Sequence, residues 1–410
     1  MINVGILTAP KIKIKLYGSW VSSYPIDSNN PVIILDRPAR FFPVSEDAEF
    51  AISDVTIGID YHWQRKEEQI FTGLLYVKYN GDQLTAINTL PLEDYLVSVI
   101  SSEMSPTAHI EFLKAAAVIS RSWAIKQMEH HASDKHTKAQ ATPCHADGDI
   151  ETLVTWQDHQ DHTLFDVCAD DHCQRYQGVG RITHPNAQLA VKQTYHQVLT
   201  YKGEVCDCRF SKCCGGITEE YPTCWEDTDV PYLKSVADVS PDDGHVFCDA
   251  HDTEVLSQVL NNYDQETTDF YRWTVTLTQQ RLQQLLHKKL DRDFGEIKRL
   301  TPLKIGPSGR IFQLLIEGTQ GSLIIGKELT IRSALSESHL YSSAFTIEAT
   351  DISPEGVPQQ FILHGKGWGH GVGLCQIGAA VMANEGYTYQ QILQHYYPGT
   401  TLTTIKDNLL

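Results

Sequence analysis

The sequence is short of positive charge and has no long apolar run. Lys and Arg number 33 against 51 Asp and Glu, a formal net charge of −18 over 410 residues. Binding to a polyanion rests on cationic neutralisation, so the balance argues against nucleic acid as a main partner and leaves a neutral sugar polymer permitted. No stretch of 18 apolar residues exists, so no transmembrane helix is encoded. The opening residues, MINVGILTAPKIKIKLYGSW, lack a charged start followed by an apolar core and a small-residue cleavage site. They read as a strand, with Ile12, Ile14 and Leu16 alternating with lysines. Export is therefore either not encoded in this sequence or depends on a leader outside it. Internal repeats and low-complexity tracts are absent too. With 41% apolar and 20% charged residues, the chain is expected to fold around a sizeable core.

Cysteine is the residue in surplus. Eight of the ten cysteines lie between Cys144 and Cys224, and clustering of that kind points to metal, disulfides or both. Cys206, Cys208, Cys213, Cys214 and Cys224 crowd around Gly215-Gly216. In an oxidising compartment they suit one or two disulfides, with Cys248 a further partner. In a reducing one they suit free thiols or a second metal site. The segment HTLFDVCADDHCQRYQG (162–178) offers His162, Cys168 and Cys173 as zinc ligands, since imidazole and thiolate suit that ion. The fourth place falls to His172 or to water, and the rival readings are a Cys168–Cys173 disulfide or two free thiols.

The periodicities predict an α+β fold: a helical core carrying Glu103, wrapped by β elements, with an inserted α/β subdomain. Four regions are expected: a β-rich part over 1–84, the core over 85–240, the insertion over 241–345, and a glycine-loop and helical segment over 346–410 that returns to the core. Asn80-Gly81 marks a hairpin between two alternating runs. Leu92, Leu96, Val99 and Ile100 recur at helical spacing, with Glu93 and Asp94 favouring the helix dipole in the first turn. Ser105-Pro106 reads as the cap of a second helix, and 132–150 as loop. Glu103 then stands at a junction between two helices, where apolar neighbours favour a neutral carboxylic acid. Glu219 and Glu220 beside the paired glycines are secondary carboxylates. Gly321 with Gly326-Lys327 imitates a phosphate-binding loop only in spacing, because Glu328 replaces the hydroxyl residue and the interior is a strand.

Three segments in order, LPLEDYLVSVISSEM (90–104) with LKAAAVISRSWAIKQ (113–127), SKCCGGITEEYPTCWEDTDVPYLKSV (211–236) and GWGHGVGLCQIGAAVMANEGYTYQQILQHYYPGT (367–400), resemble the stage II sporulation protein D and amidase-enhancer family over about 85–400. The resemblance implies a lytic transglycosylase of peptidoglycan glycan strands in the cell envelope, cutting between N-acetylmuramic acid and N-acetylglucosamine with an anhydro-sugar product. Glu103 matches the family's catalytic glutamate. His162, Cys168 and Cys173 match a His-Cys-Cys metal segment of some members, here taken as structural zinc. Gly215, Gly216, Glu219, His364, Trp368 and His370 are the expected groove residues, through aromatic faces and close backbone approach. Three other readings stand beside this one: a non-catalytic wall-binding module that activates a cell-wall amidase, a thiol peptidase using Cys375 with His364 and His370, and a structural zinc protein.

Overall fold

A computed structural model describes residues 1–27, 30–59, 64–132, 142–145, 150–156, 162–259 and 270–406. The architecture is α+β. Two sheets, antiparallel among their N-terminal strands, form the N-terminal part. One runs Ile12–Tyr17 between Val32–Leu35 and Glu49–Ile57, with Arg65–Phe71 beyond. The other sets Ile2–Ala9 against Gln83–Leu90, followed by Leu74–Asn80 and Ala39–Pro43. The alternation of Ile12, Ile14 and Leu16 with lysine buries the apolar set on one face. The hairpin pairs Asn80 with Gln83, so the turn residues are Gly81 and Asp82, one position later than Asn80-Gly81. Gly81 takes the positive φ that the turn needs, +62°.

Helix α1, Leu92–Glu103, and helix α2, Ile110–Ala132, follow. Around its middle α2 is buried on every side, from Ala115 to Ile125, so it serves as the axis of the first core. That burial strands Arg121, which is fully enclosed and bonds Glu93 of α1 through Nε to Oε1 (2.8 Å) and Nη2 to Oε2 (2.6 Å). Glu93 thus clamps the two helices together as well as lying in the first turn of α1. Ser105 does not cap α2. Its carbonyl accepts from Ala108 N–H (3.1 Å), which closes a turn over 105–108, and the helix begins at Ile110. Residues 142–145, read as loop, form a strand paired with Glu151–Val154. The rest of that expected loop, 133–141 and 146–149, lies outside the described residues.

Helices α3 (Asn186–Gln193) and α4 (Thr253–Val259) pack onto the first core. A second core occupies Trp273–Leu363. There helices α5 (Gln279–Leu290) and α6 (Glu328–Ala334) meet two sheets. One sheet is built on Ile297–Ile305, Ile311–Gly318 and Ser322–Gly326, the other on Arg272–Thr278, Pro358–Lys366 and Phe345–Ile352. The chain then returns to the first core with α7 (Gln376–Asn384) and α8 (Tyr389–Tyr396). Thr388 and Gln391 form a reciprocal capping box that fixes the start of α8.

Candidate functional site

A cleft of ≈1410 Å³ runs between the two cores. Its first wall carries Glu103, the 168–175 segment, Lys212, Trp225 and Trp368. The opposite wall carries Leu277, Arg281, Leu285 and Tyr341. Trp368 is partly exposed and rests on Tyr341 at a ring-centroid distance of 4.7 Å. Aromatic side chains in the lining of a groove suit sugar rings, whose C–H faces are apolar while their hydroxyls stay solvated.

Glu103 is the last residue of α1, and its carboxyl opens on this cleft. Oε1 accepts the backbone N–H of Arg175 at 2.9 Å. Burial pushes the Glu103 acid above its ordinary 4.5, and Asp171 adds to the rise. Arg175, through its charge and its backbone bond, and Lys212 pull the other way. The net result is a carboxyl that favours its proton more than a solvated glutamate does.

The segment that supplies the Arg175 bond is stitched to the same face of α1. Tyr95 Oη donates to Gln174 Oε1 (3.2 Å), Gln177 N–H donates to Ser102 Oγ (3.2 Å), and Ser98 Oγ donates to the Gly178 carbonyl (2.7 Å). Positions 95, 98 and 102 recur at helical spacing, which places their side chains along one stripe. Just upstream, His162, Cys168, His172 and Cys173 bring four donor atoms within 4.8 Å of one another. Cys173 Sγ is 3.4 Å from His162 Nε2 and 3.5 Å from His172 Nδ1, and Cys168 Sγ is 4.0 Å from His172 Nδ1. A tetrahedral zinc with sulfur at about 2.3 Å and nitrogen at about 2.0 Å sets its donors roughly 3.3–3.8 Å apart, so the set fits such an ion. His172 supplies the fourth donor atom of the group. Cys168's thiol is held down to about 2, chiefly by its hydrogen bond with Cys173, whose own thiol burial pushes up. Val167–Cys168 adds a parallel strand to Ile2–Ala9, and Asp166 Oδ2 accepts from Asn3 N–H (2.8 Å), so this His–Cys turn over 162–173, hereafter the knuckle, is anchored in the N-terminal sheet.

The remaining candidates fall in two groups. Trp368 and His370 line the cleft. Burial, then Arg209 and Arg310, drive His370 well below its usual range, and its Nδ1 accepts from Val372 N–H (3.0 Å). Gly215, Gly216, Glu219 and His364 lie outside the lining. Gly215 backs onto the backbone of Gly367. Glu219 is fully buried and accepts from Ser308 Oγ (2.6 Å) and Ser308 N–H (3.2 Å). Arg310, also fully buried, bonds Ser308 Oγ and the carbonyls of Cys214 and Gly369, and so joins the two glycine loops. His364 sits on the surface against Glu348 at 3.2 Å. Cys375 has no exposed surface, so the structure does not unite it with His364. Arg175 escaped the sequence reading for a clear reason: it acts through a backbone N–H, which no side-chain pattern marks. Arg310 is a lone arginine inside a strand-rich stretch, and its role depends on loops distant in sequence.

A stage II sporulation protein domain model matches residues 80–201, which hold Glu103 and all four knuckle residues. A domain of unknown function matches 219–373. Stage II sporulation protein D of Bacillus subtilis is 27% identical over 323 residues, covering 78% of this chain and 76% of that protein. The amidase enhancer of the same organism is 26% identical over 327 residues, 75% of this chain but only 40% of its own length. An uncharacterized protein of Brachyspira hyodysenteriae is 28% identical over 334 residues, 82% of this chain and 72% of that protein. The chain thus carries a stage II sporulation protein domain over 80–201 and is similar over most of its length to stage II sporulation protein D and the amidase enhancer.

Proposed function

We propose that this protein acts on the cell wall as a lytic transglycosylase, cleaving peptidoglycan glycan strands between N-acetylmuramic acid and N-acetylglucosamine. One observation carries the reading: a carboxyl with a raised proton affinity opens on a cleft lined in part by aromatic side chains and is held by a backbone N–H. Glu103 gives its proton to the bridging oxygen as the glycosidic bond breaks. The resulting carboxylate then takes the proton of the muramic acid 6-hydroxyl as that oxygen bonds to the anomeric carbon. The 1,6-anhydro ring forms, the acid is restored and no water is consumed. A single carboxyl suffices, whereas hydrolytic glycosidases use a pair. The Arg175 N–H orients the carboxyl and offers a hydrogen bond to its anionic form.

His162, Cys168, His172 and Cys173 would hold a zinc ion with all four positions filled by protein. A closed set of that kind is structural. Its contribution is to fix the turn that delivers Arg175 to Glu103, and no proton moves through it.

A second reading follows from the amidase enhancer relative: the cleft binds glycan and activates a wall amidase without cutting. Purified protein incubated with peptide-bearing and peptide-free glycan strands separates the two. Anhydro-ended fragments support the transglycosylase. Intact strands, together with stimulation of an added amidase that Glu103→Gln leaves unchanged, favour the activator.

A further inference from the structure

A second cluster of donors lies inside the first core, and none of its members lines the cleft. Cys214 follows the short strand Phe210–Ser211, Asp238 and Cys248 come from the loops before α4, and Cys375 directly precedes α7. All four are buried, the most exposed at 1%. Their donor atoms lie within 4.8 Å of one another, and Cys214 Sγ is 3.6 Å from Cys248 Sγ. Asp238 is fixed by donors on both oxygens: Tyr396 Oη at 2.6 Å on Oδ1 and Cys248 N–H at 3.0 Å on Oδ2. The N–H of Cys214 points to Cys375 Sγ at 3.2 Å.

Bare, this arrangement is costly. Burying a carboxylate without a counter-charge is unfavourable, and the two groups that bond Asp238, a phenol and a backbone N–H, are both neutral. A disulfide would use two of the thiols and leave Cys375 or its neighbours, and the carboxylate, uncompensated. One divalent ion satisfies all four donors together. We propose that Cys214, Cys248, Cys375 and Asp238 form a second, closed zinc-type site. Three thiolates and one carboxylate are an acceptable donor set for that ion, and the sulfur spacing is near that across a tetrahedral zinc. The site would pin the loop carrying Lys212, which faces the cleft, to the start of α7, whose Gln376 also lines it. It is separate from the His162 knuckle and does not depend on glycan cleavage.

The test is metal content of the full chain, purified under reducing conditions, by elemental analysis. Wild type is expected to carry about two zinc equivalents, and a His162→Ala, Cys168→Ser variant about one. Cobalt(II) loaded into that variant should give the thiolate-to-cobalt absorption of a tetrahedral site, and adding Cys375→Ser should remove it. If the last variant does not fold, the first two measurements still decide. Loss of all metal in the knuckle variant overturns the proposal. So does a Cys214–Cys248 disulfide found by peptide mapping of wild-type protein purified without reductant.

Discussion

The backbone N–H of Arg175 reaches Glu103 Oε1 at 2.9 Å, two residues beyond Cys173. The acid at the cleft is therefore positioned by the segment leaving the knuckle, and the two candidate features of the site are mechanically one. Replacing Cys173 with serine is expected to lower metal content by about one equivalent and to reduce cleavage by about tenfold to a hundredfold, the range seen when a positioning shell is disturbed. The loss should fall on kcat, with glycan binding retained. Elemental analysis and initial rates on the same preparation check both parts.

Glu103 also carries a stability signature. Its folded-state proton affinity is raised above 4.5, so the folded protein binds more protons than the unfolded chain in the interval between the two values. Stability from this group is fully present below 4.5 and is lost as pH rises through the folded value. Glu103→Gln removes that loss and keeps an acceptor for the Arg175 N–H. The variant should unfold at higher denaturant than wild type at neutral pH, with the gap closing as pH falls toward 4.5. A gap that widens on acidification would show that burial does not dominate at Glu103.

Arg121, fully buried, and Glu93, partly exposed, join α1 to α2 in a two-bond pair. Glu93→Gln leaves a fully enclosed guanidinium without its anion. The expected loss is about 3–5 kcal/mol, read from the shift in denaturant midpoint. Glu93 is thus a fold residue, and its substitution should depress activity only through the fraction unfolded.

Gly371 has φ of +78°, and a Cβ there would stand 2.4 Å from the Arg310 guanidinium. Gly371→Ala is expected to cost about 1–3 kcal/mol from backbone strain, with more from displacing Arg310. Chemical denaturation measures it. A neutral result would mean that Arg310 moves freely and does not couple the two glycine loops.

Much of this arrangement was legible in advance because it is local. The apolar spacing of Leu92, Leu96, Val99 and Ile100 marked α1, and the position of Glu103 at its end followed. His162, Cys168 and Cys173 were visible as donors because thiolate and imidazole are chemically distinctive. What stayed hidden depends on contacts distant in sequence. The Ser105-Pro106 pair looks like a helix cap, yet Ser105 closes a tight turn and α2 starts at Ile110. The glycines near 215 and 371 suggested ligand approach. The structure shows them packed on Gly367 and Arg310, a consequence of burying an arginine that sequence periodicity does not single out. The partner of Glu103 is a main-chain N–H, and only the fold could reveal it.

The central claim is that the Glu103 carboxyl protonates a glycosidic oxygen and that the sugar's own hydroxyl completes the reaction. Digestion of peptide-free glycan strands in ¹⁸O-water, followed by mass spectrometry, tests this most directly. The account predicts unlabelled anhydro ends from wild type and a rate about 10²–10⁴-fold lower from Glu103→Gln. Reducing ends that carry ¹⁸O, or a Glu103→Gln variant that cuts as fast as wild type, would contradict it.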